Sequence, residues 1–139
     1  MRLCLQAQDL HWTLIAVLDA KGKTMHMVRQ ESRPETLLNL LIDLLAAWGI
    51  SWDNLTSIAV VRGPGSFTAI RTSLTLVNAI GFARNLPLGS CTVPIDASDA
   101  VALKKLASAR TKPGSWIVPA YGAPPRITKP KGTSKRFHS

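Results

Sequence analysis

The sequence predicts an α/β domain, a mixed sheet with helices packed on it, in the chain order β-β-β-α-β-α-β-α. Three observations carry this. Three strand-like segments come first, separated by turn residues. From residue 34 onward, helical stripes and apolar strands alternate. And a Gly-Pro-Gly turn joins a wholly apolar strand to a long helix. Strands joined by tight turns pair antiparallel, whereas strands joined through helices run parallel, so the sheet has to be mixed.

The opening strands are expected over residues 2–7, 12–18 and 24–30, with Asp19-Ala20-Lys21-Gly22-Lys23 as the hairpin turn between the second and third. His26, in the alternation Met25-His26-Met27-Val28, is expected on that strand's solvent side. A helix follows over 34–48. Ser32 with Glu35 has the spacing of a capping box, and Pro34 falls in the first turn, where no N–H is missed. Leu37, Leu38, Leu41, Leu44, Leu45 and Trp48 form its apolar stripe, and Gly49 ends it. The β-branched run 55–61 reads as a buried strand. After the turn, Ile70, Leu74, Val77, Ile80 and Gly81 mark one face of a helix over about 68–85, which Asn85-Leu86-Pro87 stops. Residues 88–93 form a short strand. Asp96 or Ser98 caps a third helix reaching about residue 110, Lys112-Pro113-Gly114 breaks it, and 115–120 is a final edge strand.

At 139 residues and 46% hydrophobic, the chain can bury one core. The N-terminus lacks the apolar stretch of a signal peptide, and no uncharged run reaches the roughly 18 residues of a membrane span, so a cytoplasmic location away from membranes is expected. Cys4 and Cys91 lie in strand-like segments and are expected as buried thiols. The net charge of +9 is uneven: every acid lies within residues 1–99, where Lys and Arg balance them, and the excess comes from Lys104, Lys105, Arg110, Lys112, Arg126, Lys129, Lys131, Lys135 and Arg136. Residues 1–120 are therefore expected as the domain and 121–139 as a basic, Pro/Gly-rich, disordered tail.

Four features are candidates for function. The corner Arg62-Gly63-Pro64-Gly65-Ser66-Phe67-Thr68, with Arg71 beyond it, either holds an anion at the helix start or serves as a docking turn; it lacks the lysine of a Walker loop. The histidines His11, His26 and His138 have no metal-ligand spacing, and Ser66 has no evident His/Asp pair to activate it, so neither metal, cofactor nor catalytic residue is assigned. The faces of helices 34–48 and 68–85 either pack on the sheet or form in part a subunit interface. The tail residues Arg126, Lys129, Lys131, Lys135 and Arg136 either contact RNA phosphates or simply solubilise the chain.

The stretch Arg62-Gly63-Pro64-Gly65-Ser66-Phe67-Thr68-Ala69-Ile70-Arg71 resembles the Gly-Pro-Gly-Ser-Phe-Thr-Gly-x-Arg signature of the TsaB (YeaZ) family. Pro34-Glu35-Thr36-Leu37-Leu38 is similar to that family's Ser-Glu-Thr-Leu-Leu helix start, and Leu86-Pro87-Leu88 with Ser90-Cys91-Thr92 to its Ile-Pro-x-x-Gly-Val-Ser strand. The resemblance is good over about residues 30–93 and covers the family's N-terminal lobe. It implies an actin-like (ASKHA, RNase-H-like) fold and a noncatalytic accessory role in tRNA threonylcarbamoyladenosine synthesis. It also implies docking onto a TsaD-like catalytic subunit that TsaE joins, or self-association through the same surface. The residues carried over to that interface are Leu37, Leu41, Leu45, Ile70, Ser73, Leu74, Val77, Ile80 and Gly81. Where the family has an Ile-Asp-Thr acid this chain has Gln6-Ala7-Gln8; Arg33 stands for a His, Ala69 for the signature glycine and Thr72-Ser73 for Ile-Gly. A second expectation, from the charge alone, is a divergent paralogue that binds RNA or protein through its basic tail.

Overall fold

The computed structural model describes residues 1–120. The strands β1 (Arg2–Gln6), β2 (Trp12–Leu18) and β3 (Thr24–Glu31) form an antiparallel meander. After a single 3-10 turn at Pro34–Thr36 come α1 (Leu37–Ala47), β4 (Ser57–Val61), α2 (Phe67–Arg84), β5 (Leu88–Cys91), α3 (Asp99–Ser108) and β6 (Thr111–Lys112). The sheet order is β3-β2-β1-β4-β5-β6, with β1, β4 and β5 parallel and the outer pairs antiparallel.

Alternation along the central strands divides the core in two. Leu3, Leu5, Ile15, Val17, Ile58 and Val60 face α1 and α2. Cys4, Leu14, Ala16, Leu18, Ala59 and Val61 face α3 through Ala102 and Leu106. The helices thus cover both faces, which is why the middle of β1 (Leu3, Cys4, Leu5) and β4 from Ile58 to Val61 read as apolar runs. Arg2 ties β1 to the end of α3 and to β4: its guanidinium donates to the carbonyls of Leu106, Ala107 and Ala109 at 2.9–3.0 Å and to Ser57 Oγ at 3.1 Å. That satisfies carbonyls which the last turn of α3 leaves without helical partners.

Local signals hold with small shifts. Asp19 Oδ1 accepts from the N–H groups of Lys21 and Lys23, closing the hairpin with Gly22 at φ 84°. Gly49 (φ 71°) ends α1 in a Schellman arrangement, with Ile50 N donating to Leu45 O and Gly49 N to Ala46 O. Asn85 (φ 55°) plays the same part after α2. Other expectations are corrected. The cap before α1 involves Arg33 and Thr36, because Ser32 Oγ is bonded instead to Thr13 Oγ at 2.6 Å. His26 is not on an open face: its ring stacks on Trp48 at 5.0 Å. Residues 115–120 are a strap without strand pairing, and the edge strand is β6, three residues earlier. Residues 121–139, on which the tail expectations fall, lie outside the described residues.

Both cysteines are free. Burial pushes the Cys4 thiol up from 9.0 to about 12, with Arg2 pulling it down and Cys91 adding to the rise. The unfolded thiol ionises above pH 9 while the folded one stays protonated, so this site's contribution to stability is full below that pH and is lost as pH rises toward 12. The urea midpoint of the protein is therefore expected to fall more steeply between pH 8 and 10 than that of Cys4→Ala; parallel profiles would disprove it.

Candidate functional site: the glycine corner and the outer helix faces

β4 ends at Val61 and α2 begins at Phe67, so Arg62–Ser66 must turn the chain between a buried strand and a helix start. Ser66 is the N-cap, its Oγ accepting from Ala69 N at 3.3 Å. The Gly63–Pro64 peptide is cis. Three segments hold the corner. From the β1–β2 turn, Gln8 O accepts Ser66 N at 2.9 Å, and Gln8 Nε2 donates to Pro64 O at 2.7 Å and to Val93 O at 2.5 Å. From the β5–α3 connection, Val93 N donates to Gly63 O. From the strap, Ala120 N donates to Arg62 O at 2.7 Å.

The two glycines are explained by these approaches. A Cβ on Gly63 would overlap the Ala120 carbonyl, and one on Gly65 would lie 2.6 Å from Gln8 O. Both also have positive φ, 143° and 159°. The corner is thus a place where the protein's own backbones meet. On either side of Ala7, which stands where the resemblance sets an acid, the buried Gln6 and Gln8 amides form a pair, Gln6 Nε2 donating to Gln8 Oε1 at 2.6 Å. Gln6 Oε1 is buried with no partner among the described residues. Arg62 is half-buried and Arg71 is exposed. Among the described residues no three His, Cys, Asp or Glu side chains come together as a metal site would need, and no helix is long and apolar enough to cross a membrane.

The helix faces require a correction. Leu37, Leu41, Leu45, Ile70, Ser73, Leu74, Val77 and Gly81 are buried in the domain's own core, and Ile80 packs half-buried against it. None of them offers a free surface for a partner. The reason is physical: the strongest apolar stripe of a helix is the one the sheet takes. Gly81 shows how closely, since a Cβ there would meet the Leu88 side chain at 2.8 Å.

What remains open are the opposite faces. On α1, Leu38 and Ile42 are 44% and 45% exposed. On α2, Thr68, Arg71, Thr72, Thr75, Leu76 and Ala79 line a shallow groove of about 560 Å³, and Phe82, 87% exposed, stands one turn beyond Ala79. Small side chains along this groove let another element come near the helix backbone, while Leu38, Ile42 and Phe82 supply apolar area. The sequence hid this surface, because threonine and alanine at helical spacing have no hydrophobic signature. It also hid Asn78, whose amide pairs both ways with the strap, Nδ2 donating to Ile117 O at 3.0 Å and Oδ1 accepting Ile117 N at 2.9 Å. The available signal was a polar residue four positions after Leu74, inside the apolar stripe.

The family model of TsaD, tRNA N6-adenosine threonylcarbamoyltransferase, matches residues 28–120. The tRNA threonylcarbamoyladenosine biosynthesis protein TsaB of Haemophilus influenzae is 27% identical over 70 residues, which span 49% of this chain and 30% of that protein. The structure of YeaZ from Pseudomonas aeruginosa superposes with a TM-score of 0.55 at 24% identity, covering 66% of this chain and 43% of its own. A second structure, described as an uncharacterized protein similar to peptidase YEAZ from Pseudomonas aeruginosa, gives the same score and identity. The chain thus spans less than half the length of these relatives, and the superpositions establish a shared mixed α/β fold of the actin-like, RNase-H-like type. Because the matched segment takes in most of the described domain, including the corner and all three helices, the chain belongs to the TsaD family, and within it is similar to TsaB (YeaZ).

Proposed function

We propose that this protein is a noncatalytic, TsaB-like subunit, cytoplasmic in location, that docks a TsaD-like catalytic subunit and so supports threonylcarbamoyladenosine formation on tRNA. TsaE and the tRNA enter through that complex, and a second copy of this chain is the competing occupant of the same surface. The observation that carries the reading is the outer face of α2, the helix that begins in the family signature: a groove lined by Thr68, Thr72, Thr75 and Ala79 with Arg71 and Leu76, and exposed Phe82 one turn beyond it, while Leu38 and Ile42 are exposed on α1. Further support comes from the corner, whose Ser66 N–H and Pro64 carbonyl are engaged by Gln8, and from Ala7 standing where the resemblance sets an acid. These features suit a scaffold better than a phosphate-handling site.

Ala79→Arg places a long cation in the groove at an exposed position, where substitution costs the fold little. It is expected to weaken co-purification with the TsaD-like subunit by roughly thirty-fold, a hot-spot-sized loss, with an unchanged melting curve. Threonylcarbamoyladenosine measured by mass spectrometry of the tRNA pool is expected to fall with it. A wild-type chain that forms no complex, or a complex indifferent to Ala79→Arg, would overturn the proposal. A concentration-dependent dimer lost on Ala79→Arg, with no TsaD-like partner bound, would assign the face to self-association instead.

A further inference from the structure

Three cations near the end of the described residues, Lys105, Arg110 and Lys112, line one edge of the sheet. β6 covers only the first half of β5, pairing Lys112 with Leu88 and Thr111 with Gly89. Ser90, Cys91 and Thr92 are left as the floor of a groove of about 600 Å³. One wall is the end of α3 with Lys105 and Arg110, and the other is β6 and the strap with Lys112. Lys105 Nζ is held over the floor by a 3.0 Å bond to Thr92 O. Cys91 O in turn accepts Arg62 N at 2.9 Å, which joins the floor to the start of the glycine corner.

Nothing acidic balances the three cations. Among the described residues the ion pairs are Arg29–Asp99 and Arg84–Asp53, neither of which involves these cations. The strap adds an aromatic: Ser115 and Ile117 turn inward, while Trp116 between them is 66% exposed. Ala120 N donates to Arg62 O, and the sequence that follows carries five more cations and no acid.

Three cations lining one groove, with an exposed indole on the strap that forms part of its wall, offer the two contacts that single-stranded nucleic acids need, phosphates on the cations and a base on the ring. An acidic peptide or an anionic lipid surface would use the charges and leave the indole without a stacking partner. We propose that the β5-edge groove, through Lys105, Arg110, Lys112 and Trp116, binds single-stranded nucleic acid. This groove shares no lining residue with the α2 groove, so the proposal does not depend on docking there.

The test is fluorescence anisotropy of the full chain with a short labelled single-stranded RNA, titrated at several salt concentrations, with DNA of the same sequence as the second arm. Replacing Lys105, Arg110 and Lys112 together by Gln is expected to reduce the slope of log K against log salt by about 2, as loss of three single-strand phosphate contacts requires. Trp116→Ala is expected to weaken binding at least about five-fold with the slope unchanged. Tighter binding of RNA than of DNA would identify the 2′-hydroxyl as part of what is read, and equal binding would leave the phosphate and base chemistry the two share. All four positions are on the surface, and unchanged circular-dichroism melts verify that the variants fold. An unchanged slope in the triple variant overturns the proposal. So does a slope carried wholly by Arg126, Lys129, Lys131, Lys135 and Arg136, read from their joint replacement by Gln in the full chain. Equal binding of polyglutamate or anionic vesicles, with no effect of Trp116→Ala, overturns it too, because it would show charge alone at work.

Discussion

Val77→Glu is expected to abolish the fold, with loss of the cooperative unfolding transition or a melting temperature lowered by more than about 10 °C. Val77 is 1% exposed on the inner stripe of α2, in one cluster with Ile58, Val60, Ile70, Leu74 and Leu88. An ionised carboxylate there would have no cation and no water, and a neutral one would still be an unpaired polar group larger than the valine it replaces. Either cost is several kcal/mol, against a total stability of about 5–15 kcal/mol for a domain. Ser73→Arg is the same kind of change, since Ser73 is fully buried with its Oγ donating to Ile70 O at 3.0 Å. Ala79, two residues beyond Val77, lies across the helix on the exposed side, and its replacement by Arg is expected to leave the melt unchanged. The pair separates packing from docking on one helix. A folded Val77→Glu variant would mean that the inner stripe of α2 is not the face the sheet covers.

That contrast also shows what a periodicity can and cannot tell. Spacing of 3.6 locates the apolar side of a helix, and for α1 and α2 it found the residues that pack on β1 and β4. It says nothing of what covers the side, and in a three-layer domain the first claimant is the sheet. The outer groove had no comparable signal, because Thr68, Thr72, Thr75 and Ala79 differ little from ordinary exposed helix residues. Turns were legible because their chemistry is local: Asp19 with Gly22, Gly49, Ser66 and Ser98 all act within a few residues of themselves. Pairings over long separations were not. β6 is two residues long and exists only because β5 offers an edge to it. The strap alternates like a strand, yet its hydrogen bonds run to the Asn78 side chain and to the Arg62 carbonyl. The corner was readable as a turn, but that its glycines make room for Gln8 and Ala120 follows only from the fold.

Gln8→Ala is expected to loosen that corner and cost about 3 kcal/mol or more, read as a lowered urea midpoint with little change in slope. Gln8 is 2% exposed, and one amide joins three parts of the chain: Nε2 serves Pro64 O and Val93 O, and Oε1 takes the amide of Gln6. Truncation removes the partner of the Gln6 Nε2 group, whose Oε1 already has none among the described residues, and leaves two carbonyls unpaired unless water enters. Each unsatisfied buried group costs about 1–3 kcal/mol, so the sum is large even when the site relaxes. Gln8→Glu discriminates the mechanism. A carboxylate keeps the size and can still accept from Gln6, but it repels the Pro64 and Val93 carbonyls instead of donating to them. It should therefore be at least as damaging as Gln8→Ala at neutral pH and should recover in part on acidification, when the protonated acid can donate again. If Gln8→Glu instead matched the wild-type stability at neutral pH, donation to those two carbonyls would not be what holds the β1–β2 turn, the signature corner and the β5–α3 connection together.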